Sequence, residues 1–275
     1  MNIQFHPNGE NRTGEIVQAI LDAPPGSTIR FSKGRYDFYR EGAFSWYLTP
    51  PCNANSDKQV IFPLIGKKKL TIDGGGSEFL FHDRLFPFSL WQSSEITLKN
   101  FSIDFSFPRF CQASILENTE AGLLLKIENR YQASVSEAGN LCFLAGTELF
   151  STAERRFFLK QGNRVCYLTA GEYFYENTGL PAEVFYCRAE MTKDGILLRK
   201  NPASTFAPSF ESGKPLIISY DENRENDVIF LDNCSDIRLE KVRIFRGAGM
   251  GVVGRCCHNV SLDTFVIAPL KTAMA

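Results

Sequence analysis

The sequence has no surplus of either charge: thirty Lys and Arg stand against thirty-one Asp and Glu, a formal net charge of −1. A nucleic-acid surface needs a basic excess or a basic stripe. The one short basic run, Lys67-Lys68-Lys69, reads as a solvated turn before a strand, so no nucleic-acid partner is expected. No apolar run approaches the roughly 18 residues that cross a bilayer as a helix, and no membrane partner is expected either. The start, Met1-Asn2-Ile3-Gln4-Phe5-His6-Pro7, has neither the basic residues nor the apolar stretch of a secretory signal. The expected location is therefore cytoplasmic by default, or secreted or periplasmic should the true N-terminus lie upstream. Histidine is scarce, with three residues at 6, 82 and 258 that cluster nowhere. The eight cysteines, at 52, 111, 142, 166, 187, 234, 256 and 257, form no C-x-x-C pair, and Cys256-Cys257-His258 is too tight for a tetrahedral zinc site. No metal and no cofactor are expected, and the cysteines read as small buried apolar residues. Leu-rich heptads are missing, and so is any adjacent Asp-Asp pair.

Phenylalanine, by contrast, is abundant at 24 residues, and 44% of the 275 residues are hydrophobic, enough for one large domain or two modest ones. Three segments share one apolar pattern, Φ-x-Φ-x-x-Φ-x-Φ: Ile96/Leu98/Phe101/Ile103, Ile237/Leu239/Val242/Ile244 and Val260/Leu262/Phe265/Ile267. Within each half the period is two, as in a strand with one buried face, and the x-x break marks a bend that resets that face. Ile237 and Val260 are 23 residues apart, and Leu70-Thr71-Ile72 precedes Ile96 by 24 counted from Ile72. A recurrence near two dozen residues means stacked coils, each burying its apolar edge against its neighbours. Leucine-rich repeats have a similar period but need Leu at most positions and an outer helix. With Ile, Val and Phe dominant and Gly and Asn as punctuation, an all-β, right-handed, single-stranded parallel β-helix fits better.

The pattern fades between Ile96 and Ile237, where short strands and turns read as antiparallel hairpins. Ser114–Leu116 and Gly122–Ile127 flank Asn118-Thr119-Glu120-Ala121; Phe157–Leu159 and Val165–Leu168 flank Gln161-Gly162-Asn163; Glu183–Met191 and Ile196–Arg199 flank Asp194-Gly195, a two-residue hairpin signal. The organisation expected is a cap and first coils over 1–107, an inserted small antiparallel β-barrel over 108–224, and resumed coils over 225–275. One helix is expected, N-capped by Thr13, with a stripe of Ile16, Val17, Ala19, Ile20 and Leu21, ended by Pro24-Pro25-Gly26 and covering the open end of the stack.

Gly9–Thr13, the helix, Pro24–Phe31 and Lys33-Gly34-Arg35-Tyr36 look like the entry to pectate-lyase-like β-helices, and Leu70-Thr71-Ile72-Asp73-Gly74-Gly75-Gly76-Ser77 is similar to a first-coil motif of that superfamily. A finer resemblance, to glycoside hydrolase family 110, rests on Phe62-Pro63-Leu64-Ile65-Gly66-Lys67-Lys68, on Leu98-Lys99-Asn100-Phe101-Ser102-Ile103-Asp104 and on the β-rich insertion that follows. The resemblance implies an exo-acting, inverting α-1,3-galactosidase whose partner is a glycan with terminal α-linked galactose. Inversion needs two carboxyl groups roughly 6.5–9.5 Å apart, one held protonated and one ionised. The family's acidic motifs, with their Asp-Asp pair, lie on coils after the one holding Val260–Ile267. No catalytic residue is therefore assigned within the chain; they are expected C-terminal to Ala275, and the chain is expected to be an N-terminal portion without turnover of its own.

Arg246, beside Gly247-Ala248-Gly249-Met250-Gly251, is the candidate for binding sugar hydroxyls, where small residues allow close approach; a plain turn between coil faces is the alternative. Asp73-Gly74-Gly75-Gly76 reads as a tight coil corner and not as a phosphate cradle, because strand and not helix follows. Asp104, Asp232 and Asp263 lie at coil strands, either lining an outer face or capping turns. Trp46, Tyr47 and Trp91 offer flat faces to a pyranose, or to core and hairpin packing. Two other functions stay open. A polysaccharide lyase would show acidic calcium ligands with a basic proton acceptor, and a polygalacturonase-like enzyme Asp-Asp and Gly-His-Gly motifs, neither set being visible; a non-catalytic carbohydrate-binding module would use the β-helix as a rigid scaffold. The fold alone does not separate these.

Overall fold

The structure, a computed structural model, describes residues 1–51, 53, 55–106, 110–128, 132–145, 148–152, 157–161, 164–169, 184–200, 210–220, 226–247 and 249–268. The chain divides into two compact units, Met1–Pro108 with Asn223–Ala275, and Arg109–Glu222. Nearly all of it is β-structure.

The first unit holds two sheets. One runs Asn2–Phe5, Thr28–Phe31, Thr71–Phe81, Ser94–Phe105, Ser235–Ile244, His258–Asp263, with Arg35–Phe38 and Val266–Ile267 beside it, and every pairing in it is parallel. The other is ordered Val252–Arg255, Ile229–Asp232, Leu85–Trp91, Ser56–Ile65, Phe44–Leu48; only its last pair is antiparallel. The three eight-residue segments lie side by side in register, Ile96 against Ile237 against Val260 and Leu98 against Leu239 against Leu262. The first coil corrects the count of 24. Ile72 pairs with Leu98, an offset of 26, whereas Phe81 pairs with Phe105, an offset of 24, because the ladder jumps from Asp73↔Lys99 to Ser77↔Phe101. Two extra residues are taken up within Gly74-Gly75-Gly76. Gly75 has φ +58, and a Cβ there would stand 2.2 Å from the Phe31 carbonyl oxygen, so only glycine fits.

Left-handed residues make the corners. Asn100, Lys241 and Thr264 hold φ of 59, 54 and 52 at the x-x break of successive coils, and Lys69, Glu95, Asp236 and Asn259 hold 53 to 56 at the strand entries. A residue at positive φ turns the chain and flips which side chains face inward, and this resets the alternation. Asn and Asp tolerate the conformation best, as single residues. Asn side chains tie two of these corners to the preceding coil, Asn100 Nδ2 donating to Asp73 Oδ1 at 2.9 Å and Asn259 Nδ2 to Asp236 Oδ1 at 2.6 Å.

Between the sheets the phenylalanines stack ring on ring: Phe62–Phe88 at 4.1 Å, Phe88–Phe101 at 5.3 Å and Phe79–Phe101 at 4.9 Å between centroids. The helix Thr13–Asp22 packs Ile16, Val17 and Ile20 inward. Thr13 is not its cap. Arg12 occupies that position without a side-chain cap bond, and the buried Thr13 hydroxyl accepts the Tyr39 amide at 3.0 Å. Among the described residues no helix is long and apolar enough to cross a membrane.

Asp37, on Arg35–Phe38, accepts from Arg35 Nη2 at 2.6 Å and stands 2.7 Å from His82 Nε2. Burial disfavours its charge, but the bonds from Arg35 and then His82 outweigh that and hold the carboxyl below its ordinary range. A depressed carboxyl stabilises the fold fully above its unfolded value, near 3.9, and loses that contribution as pH falls through the folded value. Asp37→Asn is therefore expected to flatten the acid limb of stability against pH below about pH 4. It should leave the slope above that unchanged in urea denaturation at stepped pH.

In the second unit a closed barrel has the order Gly122–Ile127, Ile196–Lys200, Val184–Met191, Arg164–Thr169, Phe157–Gln161, Pro215–Tyr220, Phe110–Thr119, with a three-stranded antiparallel sheet, Gln132–Val135, Leu141–Ala145, Glu148–Ser151. The barrel is not wholly antiparallel: Arg164–Thr169 and Val184–Met191 run parallel. The turn assigned to Asp194-Gly195 sits one residue earlier, because the Thr192 amide bonds the Gly195 carbonyl at 2.8 Å and encloses Lys193-Asp194. The Gly162-Asn163 turn lies outside the described residues.

Candidate functional site

Ile65, Trp91, Asp232 and Arg255 stand in one row across the ends of four neighbouring strands. Side chains alternate along a strand, so Ser89 and Phe230, two residues back, share their face. Above them the strand Phe44–Leu48 contributes Trp46, whose ring meets that of Trp91 at 6.4 Å and 78°. Trp46, Ser89, Trp91, Phe230, Asp232 and Arg255 line a notch of about 260 Å³, together with Tyr47, Leu48 and Thr49. Arg255 is fixed there: Nε and Nη2 donate to the two oxygens of Asp232 at 3.1 and 2.5 Å, and Nη1 donates to the Thr49 carbonyl at 3.0 Å. The hydrogen bond to Asp232 raises the guanidinium further above its ordinary value. Asp232 is largely buried and also accepts from Asn233 Nδ2 at 3.0 Å. The Ser89 hydroxyl is buried and has no hydrogen-bond partner among the described residues.

The sequence candidates thus separate. Trp46, Trp91 and Asp232 come together with Tyr47, which is 59% exposed. Arg246 points elsewhere, forking the buried Asp104 with Nε to Oδ1 at 2.5 Å and Nη2 to Oδ2 at 2.6 Å. Asp263 is exposed and accepts the neighbouring Thr264 hydroxyl at 3.1 Å. Gly247 packs on Val228, where a Cβ would come within 2.9 Å of a methyl, and Ala248 lies outside the described residues. Arg255, Thr49 and Ser89 escaped the sequence reading. Arg255 had a usable signal, since it follows Asp232 by one 23-residue repeat.

A second, open cleft of about 800 Å³ runs along the corner residues of the larger sheet, lined by Asp73, Asn100, Lys241, Arg243 and Thr264. Its Asp73 is bonded by Asn100 and lies 3.7 Å from Lys99, so the one carboxylate of the cleft is already engaged. Among the described residues no group of three or more His, Cys, Asp or Glu could hold a metal ion. Cys111, Cys142 and Cys234 are buried, and burial pushes the Cys234 thiol up to about 11. Cys256 departs from the expected burial: it is exposed, at a left-handed corner with φ 52. Cys52 and the side chains of Cys166 and Cys187 lie outside the described residues.

No family model matches the chain. Individual relatives do. It is 33% identical over 247 residues to an α-1,3-galactosidase B of Phocaeicola vulgatus, covering 87% of this chain and 38% of that protein. It is 28% identical over 269 residues to the α-1,3-galactosidase B of Bacteroides thetaiotaomicron, 96% of this chain and 42% of that protein. A Shewanella woodyi α-1,3-galactosidase A matches at 28% over 248 residues, 89% and 39%. The chain spans about two fifths of the length of these curated relatives. The chain is thus similar along most of its own length to several α-1,3-galactosidases, and this similarity supports glycoside hydrolase family 110 as its family.

Proposed function

We propose that this chain forms the N-terminal part of an exo-acting, inverting α-1,3-galactosidase that removes terminal α-linked galactose from glycans. The observation that carries this is the similarity to α-1,3-galactosidases along nearly the whole chain. In this reading the alternating strands of the two parallel sheets are rungs of a right-handed β-helix, and the closed barrel is an insertion between rungs. Two features support further rungs. Val260, Leu262 and Ile267 are 40, 54 and 61% exposed at register positions where Ile237, Leu239 and Ile244 are buried. An apolar sheet edge of this kind is normally covered. Asp104 and Asp232, moreover, are each closed in an arginine fork, which leaves neither poised as a free acid or base. The inverting pair is then supplied C-terminal to Ala275.

Incubating the full-length gene product with a terminal α-1,3-galactoside is expected to release galactose, first as the β-anomer by NMR, while the 275-residue chain alone releases none. Release of the α-anomer would refute inversion, and turnover by the 275-residue chain would refute the placement of the catalytic pair. Calcium-dependent unsaturated uronides would replace the reading with a lyase, and sugar binding without turnover by the full-length product would replace it with a binding module.

A further inference from the structure

We infer that the notch between Trp46 and Trp91 is a binding site for one neutral hexopyranose unit, separate from the catalytic centre. The strongest observation is the Ser89 hydroxyl. Ser89 is 1% exposed and lines the notch, and its hydroxyl has no hydrogen-bond partner among the described residues. A buried hydroxyl without a partner is costly, and native structures keep few of them unless something arrives to satisfy it. This one belongs to a residue that lines a recess whose other surfaces suit a sugar, and a small side-chain shift would open it to a ligand there. A pyranose has a C–H face and a rim of hydroxyls. The two indoles, at 78° to each other, offer a flat apolar wall and an edge for the first. Ser89, the Thr49 hydroxyl and the remaining Nη1–H of Arg255 offer hydrogen bonds for the second.

Size and charge narrow the ligand. At about 260 Å³ the notch is smaller than the roughly 300–1,000 Å³ of sites for drug-sized molecules, so it suits a single ring. The Arg255 charge is already matched by Asp232 in bidentate contact, with Asp232 immediately behind it. A uronate or phosphate would meet that carboxylate, and among the described residues no second cation lines the recess. The site therefore selects a neutral sugar. Only the choice of galactose as first probe rests on the function proposed above.

The chain contains two tryptophans, and both line this notch, so intrinsic fluorescence reports on it directly. Titrating the 275-residue chain with methyl α-D-galactopyranoside, and in parallel with methyl α-D-glucopyranoside, is expected to give a saturable change in Trp emission with at least one of them at millimolar sugar. Trp91→Ala, read from Trp46, should weaken binding about tenfold or more. Ser89→Ala is the sharper variant: it should weaken binding roughly two- to tenfold while leaving the Tm unchanged or higher, because it removes an unsatisfied buried hydroxyl. A merely structural serine would move the Tm and not the titration. The inference is overturned if neither sugar gives a saturable change, if Ser89→Ala and Trp91→Ala leave the titration unaltered, or if galacturonate binds as tightly as the neutral sugar. The outcomes are separable from the enzyme reading. Saturable binding with no galactose release from the full-length product keeps the site and removes the galactosidase, and the reverse pair keeps the galactosidase and removes the site.

Discussion

Replacing Phe79 by alanine is expected to cost the first unit about 4 kcal/mol of folding free energy. Phe79 is fully buried and meets five aromatic rings: Phe31 at 4.9 Å, Tyr36 at 6.0 Å, Phe38 and Phe62 at 5.5 Å, and Phe101 at 4.9 Å. Four of these partners come from the larger sheet or its immediate approach, while Phe62 comes from the smaller one, so the ring joins the two sheets. Truncation removes the transfer energy of a buried side chain and leaves a cavity that its rigid neighbours, stacked on it or set edge-on to it, cannot collapse to fill. Phe79→Leu, which keeps most of the volume, should cost much less, about 1.5 kcal/mol. Leu262→Ala, at a 54% exposed position, should fall within about 0.5 kcal/mol of the parent. Urea denaturation followed by Trp fluorescence is the appropriate measurement. Trp46 and Trp91 both lie in the first unit, so the transition reports that unit and not the barrel. Equal costs for Phe79→Ala and Leu262→Ala would refute the stacked aromatic core.

That core was legible in part. Period-two alternation around Ile96, Ile237 and Val260 placed three strands in register before any coordinates, because a one-residue slip would expose every apolar side chain. The coil length went wrong only where the chain carries extra residues. Counting from Ile72 to Ile96 ignored the two that Gly74-Gly75-Gly76 absorbs, and a bulge leaves no mark on hydrophobic periodicity. Thr13 looked like a cap because Ser, Thr, Asp and Asn are favoured there, yet the tertiary structure recruits its hydroxyl for the Tyr39 amide. The parallel pair Arg164–Thr169 with Val184–Met191 was hidden for a related reason: strand direction depends on the path of the connection, not on side-chain pattern. The candidate site was half legible. Aromatic residues announce themselves by type, and so Trp46 and Trp91 stood out, but a serine draws notice only once its burial and lack of a partner are seen. Arg255 was readable in principle, one repeat after Asp232, had the 23-residue period been applied to charges as well as to apolar positions.

Arg246→Ala is expected to destabilise the first unit by about 3 kcal/mol, measured by the same urea transition. Asp104 is 1% exposed and accepts both oxygens' worth of the Arg246 fork plus the Phe105 amide at 2.9 Å. Removing the arginine strands a buried carboxylate, and breaking a buried pair from one side costs roughly 3–5 kcal/mol. The low end applies because Arg246 itself is 29% exposed, so some water can reach the orphaned acid. Asp104→Asn should cost less than Arg246→Ala, since an amide can still bond the guanidinium and carries no charge to strand. Replacing both partners by apolar residues of similar volume, Asp104→Leu with Arg246→Met, should regain most of the loss, the signature of a desolvated pair and not of two independent contributions. The set also decides what Arg246 is for. An arginine kept to donate to sugar hydroxyls would, when truncated, weaken sugar binding and leave the urea midpoint where it was. One that neutralises Asp104 moves the midpoint and leaves the Trp titration of the notch unchanged, because that notch draws its guanidinium from Arg255.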